Sequence, residues 1–161
     1  KKGLIDDNLD AGNDAWKEFE ALTDRRPSNW DTDQDGMPDW WEKLAGTNPS
    51  AADNNELTDG EYTQLERYLN WLAEPHFITS AGNKLTIDLK QYFAGYNQQP
   101  VFTLENSIQP QKGKMKLNKK GILTISLNKK AADCLIDIKV KATDKDQVAS
   151  LQRTFHIAIT Q

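Results

Sequence analysis

Five carboxylates and a glycine fall at regular places between residues 31 and 42. Asp31, Asp33 and Asp35 occupy the first, third and fifth places of this twelve-residue stretch, Gly36 the sixth and Glu42 the last. In such a loop alternate side chains converge, glycine permits a sharp turn, and a distal glutamate closes the site. Ca²⁺ takes about 6–8 oxygen ligands in this way. The spacing therefore predicts a calcium loop of the EF-hand type.

Each residue of this loop has an expected role. The three aspartates are expected to give one oxygen each, Met37 its backbone carbonyl, and Glu42 two oxygens. Asp39 has two interpretations, a ligand acting through water or the N-cap of the helix that follows. A solvated acidic turn is the alternative for the whole stretch, since Asp and Gly are common in turns. Three aspartates in register with a distal glutamate favour Ca²⁺.

Residues 55–66 form a degenerate copy of this pattern. With Gly60 at the sixth place, Asn55 is first, Asp59 fifth and Glu66 twelfth, but Leu57 stands where the third ligand belongs. The pattern favours a turn that leads into a helix, and it leaves open whether the loop holds metal.

The composition predicts two domains with a boundary near residue 75. The chain has 161 residues and a net charge of −4, but residues 1–75 carry 18 acidic and 7 basic side chains, and residues 76–161 carry 6 and 13. All five tryptophans precede residue 72. We therefore expect a calcium-loop helical module at 1–75 and a β-domain at 76–161. No run approaches the roughly 18 apolar residues that a membrane span needs. Cys134 is the single cysteine, which excludes an internal disulfide and suits a packing residue.

Apolar periodicity predicts helices over residues 13–24, 39–45 and 60–73. The last has an apolar stripe and ends before Pro75. The stripe consists of Tyr62, Leu65, Tyr68, Leu69 and Leu72. Trp40, Trp41 and Trp71 invite a sugar-stacking interpretation, but helical spacing favours burial for most of them.

From His76 onward the apolar period becomes two, which predicts strands. Ile136, Ile138, Val140 and Ala142 are expected to face a core, with Asp137, Lys139 and Lys141 outward. Short strands are also expected around residues 85–89, 101–104, 115–117, 122–127 and 155–159. This predicts an all-β antiparallel sandwich of immunoglobulin type, in which His156 is a surface strand residue.

Part of the first half resembles a known family. The run Asp31-Thr-Asp-Gln-Asp-Gly-Met-Pro-Asp-Trp-Trp-Glu, followed by Asp59-Gly-Glu-Tyr-Thr, is similar to the tail that follows the β-helix in bacterial secreted pectate lyases. The ligand pattern of that tail is similar to thrombospondin type 3 and dockerin calcium loops. The resemblance covers residues 30–72 and departs from the tail at Glu61. It implies a polysaccharide-degrading parent enzyme with an upstream catalytic domain, and no catalytic residue to carry over here.

The second half resembles cadherin-like, dystroglycan-type immunoglobulin-fold modules of bacterial surface and secreted proteins. The resemblance is carried by Leu85–Phe93, Pro100–Leu104, Ile138–Asp144 and Thr154–Ile159. Asp144 and Asp146 stand near an Ala-Thr-Asp turn, but the glutamate-rich partner motifs of true cadherins are missing, so no metal is assigned there.

A basic cluster follows residue 111 and consists of Lys112, Lys114, Lys116, Lys119 and Lys120. One interpretation is a solvated hairpin whose lysines discourage edge-to-edge strand pairing. The other is attraction of an acidic polysaccharide such as polygalacturonate. Nucleic acid is disfavoured because the cluster has no arginine.

These observations predict a non-catalytic C-terminal accessory region of a secreted polysaccharide-degrading enzyme, with structural calcium and a periplasmic, secreted or cell-surface location. The alternative is a protein-docking or adhesion module. A complete small enzyme is the least favoured, since no catalytic constellation stands out in the sequence.

Overall fold

The computed structural model of this chain describes residues 26–94, 99–131, 133–144 and 149–160. The chain divides into two compact units, Lys1–Trp30 and Asp31–Gln161. The helix expected at 13–24 lies outside the described residues. The features below belong to the second unit.

Helix α1 (Asp39–Ala45) occupies the segment that the sequence predicts. Pro38 is its N-cap residue, so the prediction that Asp39 caps this helix is wrong; Asp39 is the first helical residue. Gly46 ends the helix in the left-handed conformation, with φ 86°, and its N–H donates to the Glu42 carbonyl. Glycine adopts this conformation without the strain that a Cβ brings.

Helix α2 (Gln64–Ala73) begins four residues later than predicted. Its N-cap is Thr63, whose hydroxyl accepts from the Glu66 N–H, while the Glu66 carboxylate accepts from the Thr63 N–H. Tyr68 and Trp71 are buried, whereas Leu69 and Leu72 of the predicted stripe are 51% and 41% exposed. The buried face is therefore turned toward Trp71. Within the described residues, no helix has the length and apolarity to cross a membrane.

In the described part of this unit, seven strands and a short 3₁₀ helix (Leu89–Phe93) accompany the two α-helices. The strands are β1 (His76–Ser80), β2 (Lys84–Asp88), β3 (Val101–Leu104), β4 (Gly113–Leu117), β5 (Ile122–Leu127), β6 (Cys134–Thr143) and β7 (Ser150–Thr160). They form one sheet in the order β1-β7-β6-β3 and another in the order β2-β5-β4. The predicted sandwich of two sheets is confirmed. Its description as wholly antiparallel is wrong, because β1 pairs with β7 in parallel.

The core lies between the two sheets and follows from the alternation of the strands. Ile136, Ile138, Val140 and Ala142 of β6 are all buried, as expected for one face of a strand. They pack with Ile87, Leu123, Ile125, Phe155 and Ile157, which come from both sheets. The apolar residues of residues 76–161 thus build a core without help from the helices.

A second apolar cluster joins the helices to the sheet. Met37, Trp41, Tyr68 and Trp71 pack with Ala158 of β7, and Ala158 is fully buried. Leu135 of β6 is partly buried against the same cluster. Residues on both sides of position 75 therefore share one compact unit. Whether the two predicted halves fold as separate domains stays a prediction.

Candidate metal centre

The loop before α1 gathers the three aspartates of the predicted calcium site. One carboxylate oxygen from each of Asp31, Asp33 and Asp35 lies within 4.8 Å of the others. Backbone N–H groups help to hold them, since Asp35 N and Gly36 N donate to the Asp31 carboxylate at 3.2 and 3.0 Å. Gly36 has φ 96°, a left-handed value that suits glycine and turns the chain there. The predicted convergence of alternate side chains is present.

Glu42 occupies an enclosed position on α1. Its side chain is fully buried, and neither carboxylate oxygen has a hydrogen-bond partner among the described residues. A buried carboxylate without a partner carries a large desolvation cost. Its position thus calls for either a proton or a cation.

Asp53 completes a second acidic group that the sequence reasoning did not find. One oxygen from each of Asp35, Glu42 and Asp53 lies within 4.8 Å of the others. The Asp53 Oδ2 atom accepts from Asn48 N at 3.1 Å, while its Oδ1 atom is buried without a hydrogen-bond partner. Asp35 therefore belongs to both acidic groups and connects Glu42 and Asp53 to Asp31 and Asp33.

Asn54 ties the Asp53 segment to the loop. Its N–H donates to Asp35 Oδ2 at 3.1 Å, and its side-chain amide donates to the Asp35 carbonyl at 3.0 Å. The only sequence signal for this arrangement is an Asp-Asn pair soon after the Asn48-Pro49-Ser50 turn. Linear spacing does not show that this pair returns to the loop, because the return depends on how the turn folds.

The electrostatics of the centre favour a cation. Burial, with added repulsion from Asp33, Asp35 and Asp53, raises the pKa of Glu42 to about 7. Burial also raises the pKa of Asp33, and the neighbouring Asp35 charge adds to the rise. Both pKa shifts have the same cause: several negative charges lie close together with little water around them. A bound divalent cation offsets that repulsion.

The structure describes the surroundings of two other predicted ligands, Asp39 and Met37. The Asp39 carboxylate accepts from the Thr32 N–H and hydroxyl at 2.8 and 2.7 Å, and these hydrogen bonds lower the pKa of Asp39. It thus closes the loop by tying residue 32 to the start of α1. The Met37 side chain is fully buried in the helical cluster. The role of its carbonyl as a ligand stays a prediction.

The degenerate loop at 55–66 has the features of a helix entry. The Glu66 carboxylate accepts from the Thr63 N–H at 2.8 Å and from the Thr63 hydroxyl at 3.1 Å. Leu57 and Thr63 form an isolated antiparallel bridge across the turn. In the part of the chain that the structure describes, neither Asp59 nor Glu66 joins an acidic cluster fit for a metal.

The structure separates the five lysines of the predicted polyanion patch. Lys114 and Lys116 are exposed on β4, while Lys119 and Lys120 lie in the turn between β4 and β5. Lys112 precedes β4 and lines a cavity with Lys129 and Lys130, two residues that the sequence reasoning did not single out. A patch defined by nearness in sequence therefore becomes separate groups in space.

Trp41, Trp71 and His156 pack against or bond to other side chains of the fold. Trp41 and Trp71 are 0% and 4% exposed, which confirms burial over sugar stacking for these two. Trp71 also lies against His76, with ring centroids 4.4 Å apart. His156 Nδ1 lies 2.7 Å from Asp137 Oδ1. The His156 side chain is 15% exposed on β7 between the buried Phe155 and Ile157, so it faces outward as predicted but is partly covered.

Comparisons with known proteins identify no family for this chain. No family model matches it, and no curated protein matches it. Among solved structures, it is similar to a nucleoside hydrolase-related hypothetical protein from Saccharophagus degradans associated with carbohydrate metabolism, at 12% identity and a TM-score of 0.36. That match covers 54% of this chain and 22% of the other. The titin M3 domain matches at 10% identity and a TM-score of 0.33, over 55% of this chain and 90% of that domain. Both scores are too low to support an argument about function.

Proposed function

We propose that this chain is a calcium-binding, non-catalytic accessory region of a secreted polysaccharide-degrading enzyme, in which the ion fixes the helical part against an immunoglobulin-like sandwich. The observation that carries the calcium assignment is Glu42. Its buried and unpartnered carboxylate faces Asp35 and Asp53. Five carboxylates supply the hard oxygen ligands that Ca²⁺ prefers.

The proposed role of the ion follows from the chain segments that carry its ligands. Asp31 and Asp35 lie in the loop, Glu42 on α1, and Asp53 in the segment between the helices. An ion shared by these segments holds them in one arrangement. Met37 and Trp41, which lie beside the ligands in sequence, are fully buried in the cluster that includes Ala158. Calcium therefore stabilises the packing of the helices on the sheet.

The enzyme context rests on the resemblance of residues 30–72 to the pectate lyase tail. The sequence encoded upstream of Lys1 tests it, because a parallel β-helix domain is expected there. A different domain upstream contradicts the lyase assignment and leaves the calcium assignment untouched.

Calorimetry and thermal unfolding test the calcium assignment. Ligand that binds the native state alone raises stability by RT ln(1 + [L]/Kd), so millimolar Ca²⁺ is expected to raise the melting temperature of the chelator-treated protein. Asp33→Ala and Glu42→Gln are expected to remove most of the rise. Asp53→Asn is expected to weaken binding by roughly tenfold, because the number of charged ligands tunes calcium affinity.

Asp59→Asn is the matched control, since it removes one negative charge from the exposed turn before α2. It is expected to leave the calcium response unchanged. The absence of both binding heat and calcium-dependent melting in the wild-type protein contradicts the proposal. An equal loss in Asp59→Asn and Asp53→Asn shows a response to net charge instead of a site.

A further inference from the structure

We propose that one end of the three-stranded sheet binds the carboxylate groups of an acidic polysaccharide. This surface, the basic end, consists of Lys84, Lys112, Lys114, Lys129 and Lys130. The anion site follows from the geometry below, and the choice of a polysaccharide rests in part on the proposed function. The basic end shares only Lys112 and Lys114 with the patch predicted from sequence.

Strand register brings these lysines together. Lys84 of β2 and Lys114 of β4 both pair with Ser126 of β5, one on each side. All three side chains are exposed, so they form one row across the outer face of the sheet. Since neighbouring strands lie about 4.8 Å apart, the two lysine backbones are separated by roughly 10 Å.

The loops at the same end add the other three lysines. Asn128 N donates to the Lys112 carbonyl at 3.0 Å, which joins the end of β5 to the start of β4. Gly82 N donates to the Asn128 carbonyl at 3.2 Å and joins the β1–β2 turn to the same place. Gly113 must be glycine here, because a Cβ would lie 2.4 Å from the Ser126 carbonyl oxygen. The basic end is therefore fixed by backbone contacts.

A cavity of about 530 Å³ opens between these loops. It is lined by Gln109, Gln111, Lys112, Asn128, Lys129 and Lys130 among others. The Asn128 amide donates to the Pro110 and Gln111 carbonyls at 3.0 Å each, which fixes one wall. Gln111 Nε2 donates to Gln109 Oε1 at 2.9 Å, so these two amides also hold each other in place. Three lysines line the same cavity, and ammonium groups suit a carboxylate ligand.

The positive charge of the basic end is not paired within the described residues. The ion pairs there join Arg153 to Glu74 and His156 to Asp137, and none involves these lysines. Two acidic residues lie close to the basic end: Asp133 follows the cavity residue Ala131 by two positions in the sequence, and Glu105 lines another groove together with Lys114. Lysines that lack partners are available to an external anion.

The chemistry of the lining favours a sugar acid over nucleic acid. Among the described residues that line the cavity there is no aromatic side chain on which a base could stack and no arginine for bidentate phosphate contacts. Beside the lysine row, Thr86 and Lys116 pair with Thr124 on either side, which adds hydroxyl groups to the same face. Hydroxyls and amides next to ammonium groups match a polyuronate, whose repeats carry one carboxylate and several hydroxyls.

Affinity electrophoresis of the full chain in calcium tests this proposal, with polygalacturonate in the gel and dextran as the neutral comparison. Polygalacturonate is expected to retard the wild-type protein, and dextran is not. The triple variant Lys112→Gln, Lys129→Gln, Lys130→Gln is expected to bind roughly tenfold more weakly. The matched control is Lys90→Gln, Lys119→Gln, Lys120→Gln, which removes the same charge from exposed lysines at the opposite end of the sheet.

Binding is expected to fade near 1 M salt, where the Debye length falls to about 3 Å. No retardation of the wild-type protein, or equal weakening in both triple variants, overturns the proposal. Equal retention by single-stranded DNA also overturns it, because that outcome shows general polyanion attraction. Repeating the assay with Asp33→Ala separates the two proposals, since failure of the calcium site leaves the basic end able to retard the protein.

Discussion

Glu42 is a buried carboxylate whose ionised form is destabilised by its surroundings. A glutamate loses its hydration when it is fully buried, and four aspartates nearby oppose its ionisation. Replacing such a group in a folded core is usually neutral or favourable, whereas leaving it charged and alone is costly. The proposed cation would remove this cost, and so would a proton on the carboxylate.

The first prediction concerns the sign of Glu42→Gln at pH 8. In chelator, the substitution is expected to stabilise the protein by about 1–3 kcal/mol, since it removes an uncompensated buried charge. In millimolar Ca²⁺ it is expected to destabilise the protein, because a ligand is lost. Urea denaturation under both conditions measures the two values. The same sign in both conditions contradicts a metal role for Glu42.

The second prediction concerns Asp137 and pH. The hydrogen bond from His156 lowers the pKa of Asp137 below its ordinary value of 3.8. A carboxylate with a lowered folded pKa adds stability above its unfolded pKa and loses it as pH falls through the folded pKa. Asp137→Asn is therefore expected to cost stability at pH 6 and nothing once the pH is well below the folded pKa. Because Asp137 is 59% exposed, the cost is expected to be under about 1 kcal/mol.

Chemical denaturation of both proteins between pH 6 and pH 2 measures this difference. Lys116→Gln on β4 is the control, since Lys116 is exposed and lies on the other sheet. A difference between wild type and Asp137→Asn that grows as the pH falls contradicts the prediction.

At the scale of elements, α2 depends on its first turn more than on a broad apolar face. Of its ten residues only Tyr68 and Trp71 are buried. Short helices are marginal in water without tertiary packing or caps. The Thr63–Glu66 capping box satisfies donors that the helix start otherwise leaves unpaired. It is therefore a main local determinant of where α2 begins.

The third prediction tests this cap. Thr63→Ala is expected to destabilise the protein by about 1 kcal/mol, the usual cost of losing an N-cap side chain. Asn70→Ala is the control, because Asn70 is exposed within the same helix and alanine has the higher helix propensity. Thermal unfolding of both variants in calcium measures the effect. A larger loss in the Asn70 variant contradicts the assignment of the cap.

At the scale of the whole molecule, two apolar clusters have different dependencies. The core between the sheets draws on residues from Phe77 to Ile159 alone. The helical cluster reaches across to Ala158 and Leu135 on the outer side of the larger sheet. The sandwich has its own core, while the helical cluster includes residues of the sheet and lies beside the acidic groups of the proposed metal site.

The fourth prediction follows from this difference. Residues 76–161 expressed alone are expected to fold cooperatively, with a β-type far-UV spectrum and a melting temperature that chelator leaves unchanged. The fragment is expected to melt below the calcium-loaded full chain, because Ala158 and Leu135 lose their cover. Circular dichroism and thermal melts check both points. An unfolded fragment contradicts the prediction of separate domains. That result means that the sandwich core depends on its interface with the helices.

Local patterns in the sequence determine the acidic loop, the strands and the C-terminal end of α1. Alternation along β6 and β5 assigns their faces, because side-chain direction in a strand depends only on position. The Asp-x-Asp-x-Asp-Gly spacing brings Asp31, Asp33 and Asp35 together, since they lie on one short loop. Gly46 ends α1 for an equally local reason.

Only the tertiary structure decides which distant groups join these local ones. Asp53 lies near Glu42 because of how the turn after α1 folds, and the spacing of these residues in the sequence does not predict that fold. The parallel pairing of β1 with β7 joins the first and the last strand of the chain. The lysines regroup for the same reason: strand pairing places Lys84 and Lys114 on either side of Ser126, and the loops at that end bring Lys112 and Lys129 to one cavity. Contacts between distant segments depend on the whole free energy of packing, which no short stretch of sequence contains.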